Sequence, residues 1–570
     1  MLRKVLTSTL VFLLALSAWA QEEVRLTPSQ RNEVLNILSQ SAPLELFKSA
    51  DDQRVLCEIS AHRLPTEAGT LASVATVYHF DYSDSSTIRS VVNLTDRQVM
   101  DVERLPYYSP PLAPEEEIQA RDLAVAASAE AKALVAANPD IKIELMPHLN
   151  VVPNDPLFGH RMVDVIFVPD PNNRRTSLRV SVDLTAAPRA AAVALEQADA
   201  EAPPQTVEFH FPLQARSDDQ ETGWRITFDR TSQSERRVLR IVSAEFKRSR
   251  IEDWVQVLGD TRLAEMFVPY NDGAPRYFDI TGIGGDLLQL DKADLGPECL
   301  GNAKLYFEDR VAVELHDGKN LWFDTSGKSI RAEEVHVWGV RTAGNYVYLI
   351  LYAFRSDGTV SMHCGATAHN HDNEKSDNVI HPHLATWRVN VALGKQAENK
   401  IEVVEWESSP NWGGVAKNTV SAFNQGLEGG IPWNADRSTR LRITSTTLKN
   451  SHNPAEYIGY ELVSVRHGNL RTYGPNEEWT HKDFWVTAPP SASGGLELKP
   501  AELPKYVQDS ENLAGKPATI WVNTGLIHRP RDEDFGKEQY NSYAGVALTA
   551  WSSIELKPRN FLAKSPFYKN

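Results

Sequence analysis

His381-Pro382-His383-Leu384-Ala385-Thr386-Trp387-Arg388-Val389 sets two imidazoles two residues apart at the head of a largely apolar run. The run reads as a β-strand. In a strand, residues two apart point to the same side, so His381 and His383 share a face and can meet one ion. Imidazole suits copper and zinc. Taken alone, such a pair is more commonly a metal-free, exposed His-x-His, and His363, His369 and His371 leave the choice of pair open as well. A third ligand has to come from elsewhere. His528, at the head of His528-Arg529-Pro530-Arg531-Asp532-Glu533-Asp534, is the candidate.

Around this strand, residues 206–570 are dominated by short β patterns separated by polar turns, and long helical periodicity is scarce. That pattern predicts one large β sandwich. Upstream, Thr27-Pro28-Ser29 opens a helical pattern to about Ser39, with Pro28 suited to a first turn. Alternating segments at 54–61, 72–80, 87–93 and 98–102 read as an antiparallel meander. The stretch 107–114 is proline-rich and reads as a linker. Pro114 opens a second helix whose first turn carries Glu115, Glu116 and Glu117, complementing the helix dipole. Strand patterns return at 141–146, 161–168 and 177–184, and the alanine- and proline-rich 186–205 marks a boundary. The expected fold is mainly β: a C-terminal β-sandwich domain at 206–570, preceded by two small α+β domains at 21–110 and 111–190.

Residues 1–20 pair a basic start, Arg3 and Lys4, with an apolar stretch and a small-x-small site at Ala18-Trp19-Ala20. They read as a secretory signal peptide, too short for a membrane span, so the expected location is periplasmic or secreted, with no membrane association after cleavage. The net charge of -16 argues against a nucleic-acid partner, which needs a basic face. The three cysteines, Cys57, Cys299 and Cys364, allow at most one intramolecular pair and lack the close spacing of a zinc ribbon.

Two further fragments are undecided by themselves. Gly344-Asn345-Tyr346-Val347-Tyr348 is a strand with tyrosines, equally an ordinary aromatic core. Tyr277-Phe278-Asp279, followed by Gly282, Gly284 and Gly285, places a carboxylate after two aromatics. Asp279 is either a base raised by an apolar wall or a turn residue.

In this order the fragments resemble the copper amine oxidase family, most strongly from Leu263 onward. Asn345-Tyr346-Val347-Tyr348 matches three of four positions of the family's Asn-Tyr-acidic-Tyr motif, whose first tyrosine becomes topaquinone. Asp357-Gly358-Thr359 and Ala366-Thr367 fall where the family has the same residues. His381 and His383 resemble its His-x-His copper pair. His528 to Asp534 reproduces its His-x-Pro-Arg-x-Glu-Asp segment. Glu265-Met266-Phe267-Val268-Pro269-Tyr270 resembles the approach to its catalytic aspartate, which maps to Asp279. Leu503-Pro504-Lys505-Tyr506-Val507 and Phe484-Trp485-Val486-Thr487 look like further family stretches.

The resemblance implies copper(II) held by His381, His383 and His528, topaquinone derived from Tyr346, and Asp279 as the catalytic base. It implies that Tyr270 and Asn345 orient the cofactor, and that a primary amine and O2 are the reactants, in a homodimer. The sequence also departs from the pattern. Val347 replaces an acidic residue, which takes a charge from beside the cofactor. Asp279 is followed by Ile-Thr-Gly, so the base is expected to be displaced. Cys299 resembles half of a family disulfide but has no partner cysteine before Tyr346. Arg388 to Ala392 lacks the aspartates of the peripheral calcium site, and the interval from Tyr346 to His381 is short. Two other readings stand beside this one: a secreted zinc hydrolase using the same histidines, and a non-catalytic copper-binding protein on an oxidase scaffold.

Overall fold

A computed structural model describes residues 26–40, 54–65, 71–106, 108–150, 156–169, 178–185, 203–212, 221–231, 237–248, 253–270, 276–283, 285–290, 303–323, 325–327, 329–344, 346–369, 380–394, 399–407, 416–450, 453–466, 469–488, 498–528 and 546–562. The leader, the 186–202 stretch, Cys299, Asn345, His371 and residues 529–534 lie outside them.

The chain divides into two compact units, one of residues 1–106 with 490–498 and one of residues 107–489 with 499–570. In the first, the helix Pro28–Gln40 accompanies a four-stranded antiparallel sheet formed in chain order by Arg54–Pro65, Leu71–Asp81, Ser86–Asn93 and Gln98–Pro106. Val34, Ile37 and Leu38 recur at helical spacing and bury one stripe against Ile59, Val77 and Val92 of the sheet.

The second unit begins with helices Pro114–Ala127 and Ala129–Ala137 and a three-stranded sheet of Lys142–Leu149, Arg161–Val168 and Leu178–Asp183. Ser128 caps the second helix by accepting the Ala131 amide at 3.1 Å. Met146, Ile166 and Val168 of the small sheet belong to the same apolar core as the two large sheets that follow.

Each large sheet has ten strands. The histidine sheet runs Gly429–Ile431, Phe484–Thr487, Thr519–His528, His381–Val389, Thr261–Pro269, Leu239–Lys247, Glu221–Arg230, Gln205–Pro212, with Trp254–Leu258 and Arg276–Phe278 paired alongside. The tyrosine sheet runs Lys304–Tyr306, Val311–Phe323, Ser329–Ala343, Tyr346–Arg355, Val360–His369, Val546–Arg559, Tyr457–Arg466, Arg440–Lys449, Asn399–Glu407, Lys417–Ala422. Aromatic side chains from the two inner faces meet in the core. Trp387 packs on Tyr352 with centroids 5.7 Å apart, and Trp224 on Phe354 at 5.2 Å. Such burial contributes about 1.5–3 kcal/mol per large apolar side chain. Among the described residues no helix is long and apolar enough to cross a membrane.

Candidate active site

The histidine cluster follows from strand pairing. His381–Val389 and Thr519–His528 are antiparallel neighbours, and His381 lies directly opposite His528 in their register. Residues opposite each other in a ladder share a face, as do His381 and His383 along one strand. All three imidazoles therefore point to the same side of the sheet. They are buried, and one ring nitrogen from each lies within 4.8 Å of the others. Burial first, then the neighbouring imidazoles, holds the pKa of His383 well below its ordinary value. The ring stays neutral and keeps a lone pair for a metal.

Tyr346 comes from the opposing sheet. The hairpin between Ser329–Ala343 and Tyr346–Arg355 turns at Gly344, whose positive φ of 59° suits glycine. Tyr346 is thus the first residue of a strand whose inward positions are Tyr346, Tyr348, Ile350 and Tyr352. Its hydroxyl lies 2.8 Å from His381 Nε2 and 3.2 Å from His528 Nδ1, and its ring meets His383 edge-on at 4.5 Å. Tyr270, one residue past the end of Thr261–Pro269, stacks on His381 with centroids 4.2 Å apart. Burial pushes the phenols of both Tyr270 and Tyr346 above their usual range.

Asp279 follows the short strand Arg276–Phe278 and is fully buried. The Tyr348 hydroxyl donates to Asp279 Oδ2 and lies 3.2 Å from His383 Nδ1. Asp279 Oδ1 is buried with no hydrogen-bond partner among the described residues. Burial and then the Glu265 charge raise the Asp279 carboxyl to about 8, against the Tyr348 hydrogen bond and the Arg341 charge. A carboxylate with an open, buried oxygen and a proton affinity near neutrality is suited to accepting a proton.

Tyr346, Tyr270, Asp279, His381, His383 and His528 are thus brought to one buried locus, while Asn345 lies outside the described residues. Val347 alternates to the other face of its strand, away from Tyr346 and Tyr348. The missing acidic charge is therefore absent from the opposite face of the sheet, not from the ring side. His363 takes no part in the cluster and bonds Ser553 Oγ at 2.8 Å through Nδ1.

Tyr348, Glu265 and Arg341 join the site without a role marked by the sequence motifs. The alternation that places Tyr346 inward places Tyr348 there too. Arg341 breaks an inward row of Val335, Val337, Gly339 and Ala343, and a charge at a core position is a signal legible from pattern alone.

The donor set fits copper: three buried imidazoles with a phenol oxygen beside them. Copper(II) added at a hundred times its Kd is expected to raise the unfolding free energy by about 2.7 kcal/mol. His528→Ala is expected to lose both that rise in thermal midpoint and stoichiometric copper by metal analysis.

The sequence model for the copper amine oxidase enzyme domain matches residues 222–569. The primary amine oxidase of Klebsiella aerogenes is 24% identical over 316 residues, which is 47% of this chain and 40% of that protein. Copper amine oxidase 1 of Aspergillus niger is 24% identical over 345 residues, half of each chain. The chain thus spans half or less of the length of these relatives. Among solved structures, the copper-containing benzylamine oxidase of Hansenula polymorpha superposes with a TM-score of 0.59 at 16% identity, over 95% of this chain and 98% of that one. The lysyl oxidase of Pichia pastoris superposes with a TM-score of 0.55 at 15% identity, over 98% and 92%. These likenesses share the fold, and the domain match extends over more than half of the chain, including the tyrosine strand and all three histidines. The chain belongs to the copper amine oxidase family.

Proposed function

We propose that this protein oxidises primary amines with O2 at a copper centre held by His381, His383 and His528, using topaquinone derived from Tyr346. The observation that carries the reading is the Tyr346 hydroxyl, directed into the three-imidazole cluster at 2.8 Å and 3.2 Å. When bound, copper would supply the redox chemistry for O2-dependent oxidation of the Tyr346 ring, and the quinone would supply a carbonyl and a sink for two electrons.

The chain's own residues supply the rest. The three imidazoles would hold the ion, and His381 and His528 hold the Tyr346 hydroxyl beside it. Tyr270, stacked on His381, restricts how far the ring can swing. Asp279 takes a proton from the amine's α-carbon at its open Oδ1, while Tyr348 holds Oδ2. Burial of every one of these groups keeps bulk water from competing for that proton. The balance is RCH2NH2 + O2 + H2O giving RCHO + NH3 + H2O2. Export through the leader at 1–20 and assembly as a homodimer belong to the same reading, supported by the leader's composition and by the family pattern.

The test is a panel of primary amines with copper-reconstituted protein, read by peroxide release, with a carbonyl reagent used to label Tyr346. Amine-dependent peroxide together with labelled Tyr346 supports the reading. Zinc with hydrolase activity, or copper with neither label nor peroxide, overturns it.

A further inference from the structure

The turn that carries Asp279 is gripped by two buried charges of opposite sign. Glu265 Oε1 accepts the amides of Ile280 at 3.0 Å, Thr281 at 3.4 Å and Met266 at 3.0 Å, and its Oε2 accepts the Thr281 hydroxyl. From the other side, Arg341 Nη1 donates to the carbonyl of Asp279 at 2.8 Å and of Thr342 at 3.1 Å, and Nη2 to the carbonyl of Ile283 at 3.4 Å. Both side chains are buried. Each comes from a large-sheet strand, Glu265 from Thr261–Pro269 and Arg341 from Ser329–Ala343. Arg341 also lies directly opposite Tyr348, the donor to Asp279. Pairing of Thr261–Pro269 with His381–Val389 shifts register between Leu263 and Glu265, a bulge of the kind that re-aims a side chain.

A buried charge costs several kcal/mol unless hydrogen bonds repay it, so a core keeps one where it holds something in place. Here each charge directs two of its hydrogen bonds to the backbone of one turn, Glu265 to the Ile280 and Thr281 amides and Arg341 to the Asp279 and Ile283 carbonyls. That turn is also where the chain carries Ile280-Thr281-Gly282 in place of the family's spacing, and Asp279 nonetheless meets Tyr348.

We propose that Glu265 and Arg341 are the positioning residues of Asp279, clamping its turn from the amide side and the carbonyl side and flanking its carboxylate with opposite charges. The proposal rests on reading Asp279 as the base. Glu265 opposes ionisation of Asp279 and Arg341 favours it. The other titratable groups acting with that carboxylate are Tyr348, which donates to it, and Tyr270 and Tyr346, whose phenols burial keeps protonated.

The test uses the full chain, copper-reconstituted, as Glu265→Gln, Arg341→Gln and Arg341→Lys, each with and without Asp279→Asn. The thermal midpoint is followed between about pH 4 and pH 10, a window chosen to bracket an ordinary and a raised carboxyl. The difference between each protein and its Asp279→Asn counterpart isolates the Asp279 titration. Glu265→Gln is expected to move its midpoint down by about one pH unit and Arg341→Gln up by a similar amount, while Arg341→Lys leaves it in place. The kcat/KM profile with benzylamine as probe moves in parallel. A Glu265→Gln midpoint that is unmoved or raised overturns the proposal, and that arm decides alone if Arg341→Gln does not fold. A midpoint that moves while the kcat/KM profile does not would retain the clamp and sink the assignment of Asp279 as base.

Discussion

Tyr346→Phe is expected to bind one copper per chain yet release no amine-dependent peroxide and take no carbonyl-reagent label. The substitution removes one oxygen and leaves a ring of the same shape in a site that is 3% exposed. The three imidazoles are untouched, so the metal keeps its protein donors. The lost hydroxyl contacts His381 and His528, and one such hydrogen bond is worth about 0.5–1.5 kcal/mol, so the fold survives. What disappears is the phenol that the proposed oxidation of the ring requires. Metal analysis, visible absorption and peroxide release on one preparation check all three parts. A chromophore or turnover persisting in the phenylalanine variant would locate the quinone elsewhere.

The second large effect concerns the base. Asp279→Asn should lower kcat/KM by about 10²–10⁴-fold, the usual contribution of a positioned base. The pH dependence carries a definite sign. Asp279 is held up to about 8, first by burial and then by Glu265. Its basic form is a minority below that pH and grows tenfold per unit, so kcat/KM of the wild type rises with unit slope and flattens above about 8. The asparagine variant loses that slope. Stability moves the other way. A carboxyl whose folded pKa is raised contributes stability that is fully present below its unfolded value, about 3.9, and is lost as pH rises through the folded value. The wild type therefore loses stability relative to Asp279→Asn from about pH 4 to about pH 8. A flat difference across that window would mean that Asp279 does not titrate there.

The two effects separate the copper-binding scaffold from the oxidase. A non-catalytic copper protein on this fold predicts the first result for copper and none of the losses, because there would be no turnover to lose. The Oδ1 of Asp279 fits a working site, since a fully buried carboxylate oxygen with no donor among the described residues is a cost that plain packing does not explain.

Much of this was legible in the chain. Period-two alternation put His381 and His383 on one face, because side-chain direction in a strand is a local property of the backbone. The helix of residues 28–40 and the four strands after it follow from the same local rules. Whether a given histidine was a ligand could not be read locally. His528 is 145 residues from His383, and only the antiparallel register that sets it opposite His381 makes the two neighbours. Tyr346 and the histidines belong to different sheets, so their meeting depends on how those sheets face each other across the core.

By itself, then, the sequence determined residue type, strand periodicity and the order of motifs. It also raised Val347 and the Ile-Thr-Gly after Asp279 as departures of unknown weight. Tertiary structure decided what they weigh. Val347 turns to the far face of its strand, and Asp279 is held against Tyr348 by charges that lie 14 residues before it and 62 after it. The reason is physical: alternation and propensity act between neighbours in the chain. The position and proton affinity of a buried carboxylate are set by whatever groups the fold brings within a few ångströms, at any distance along the sequence.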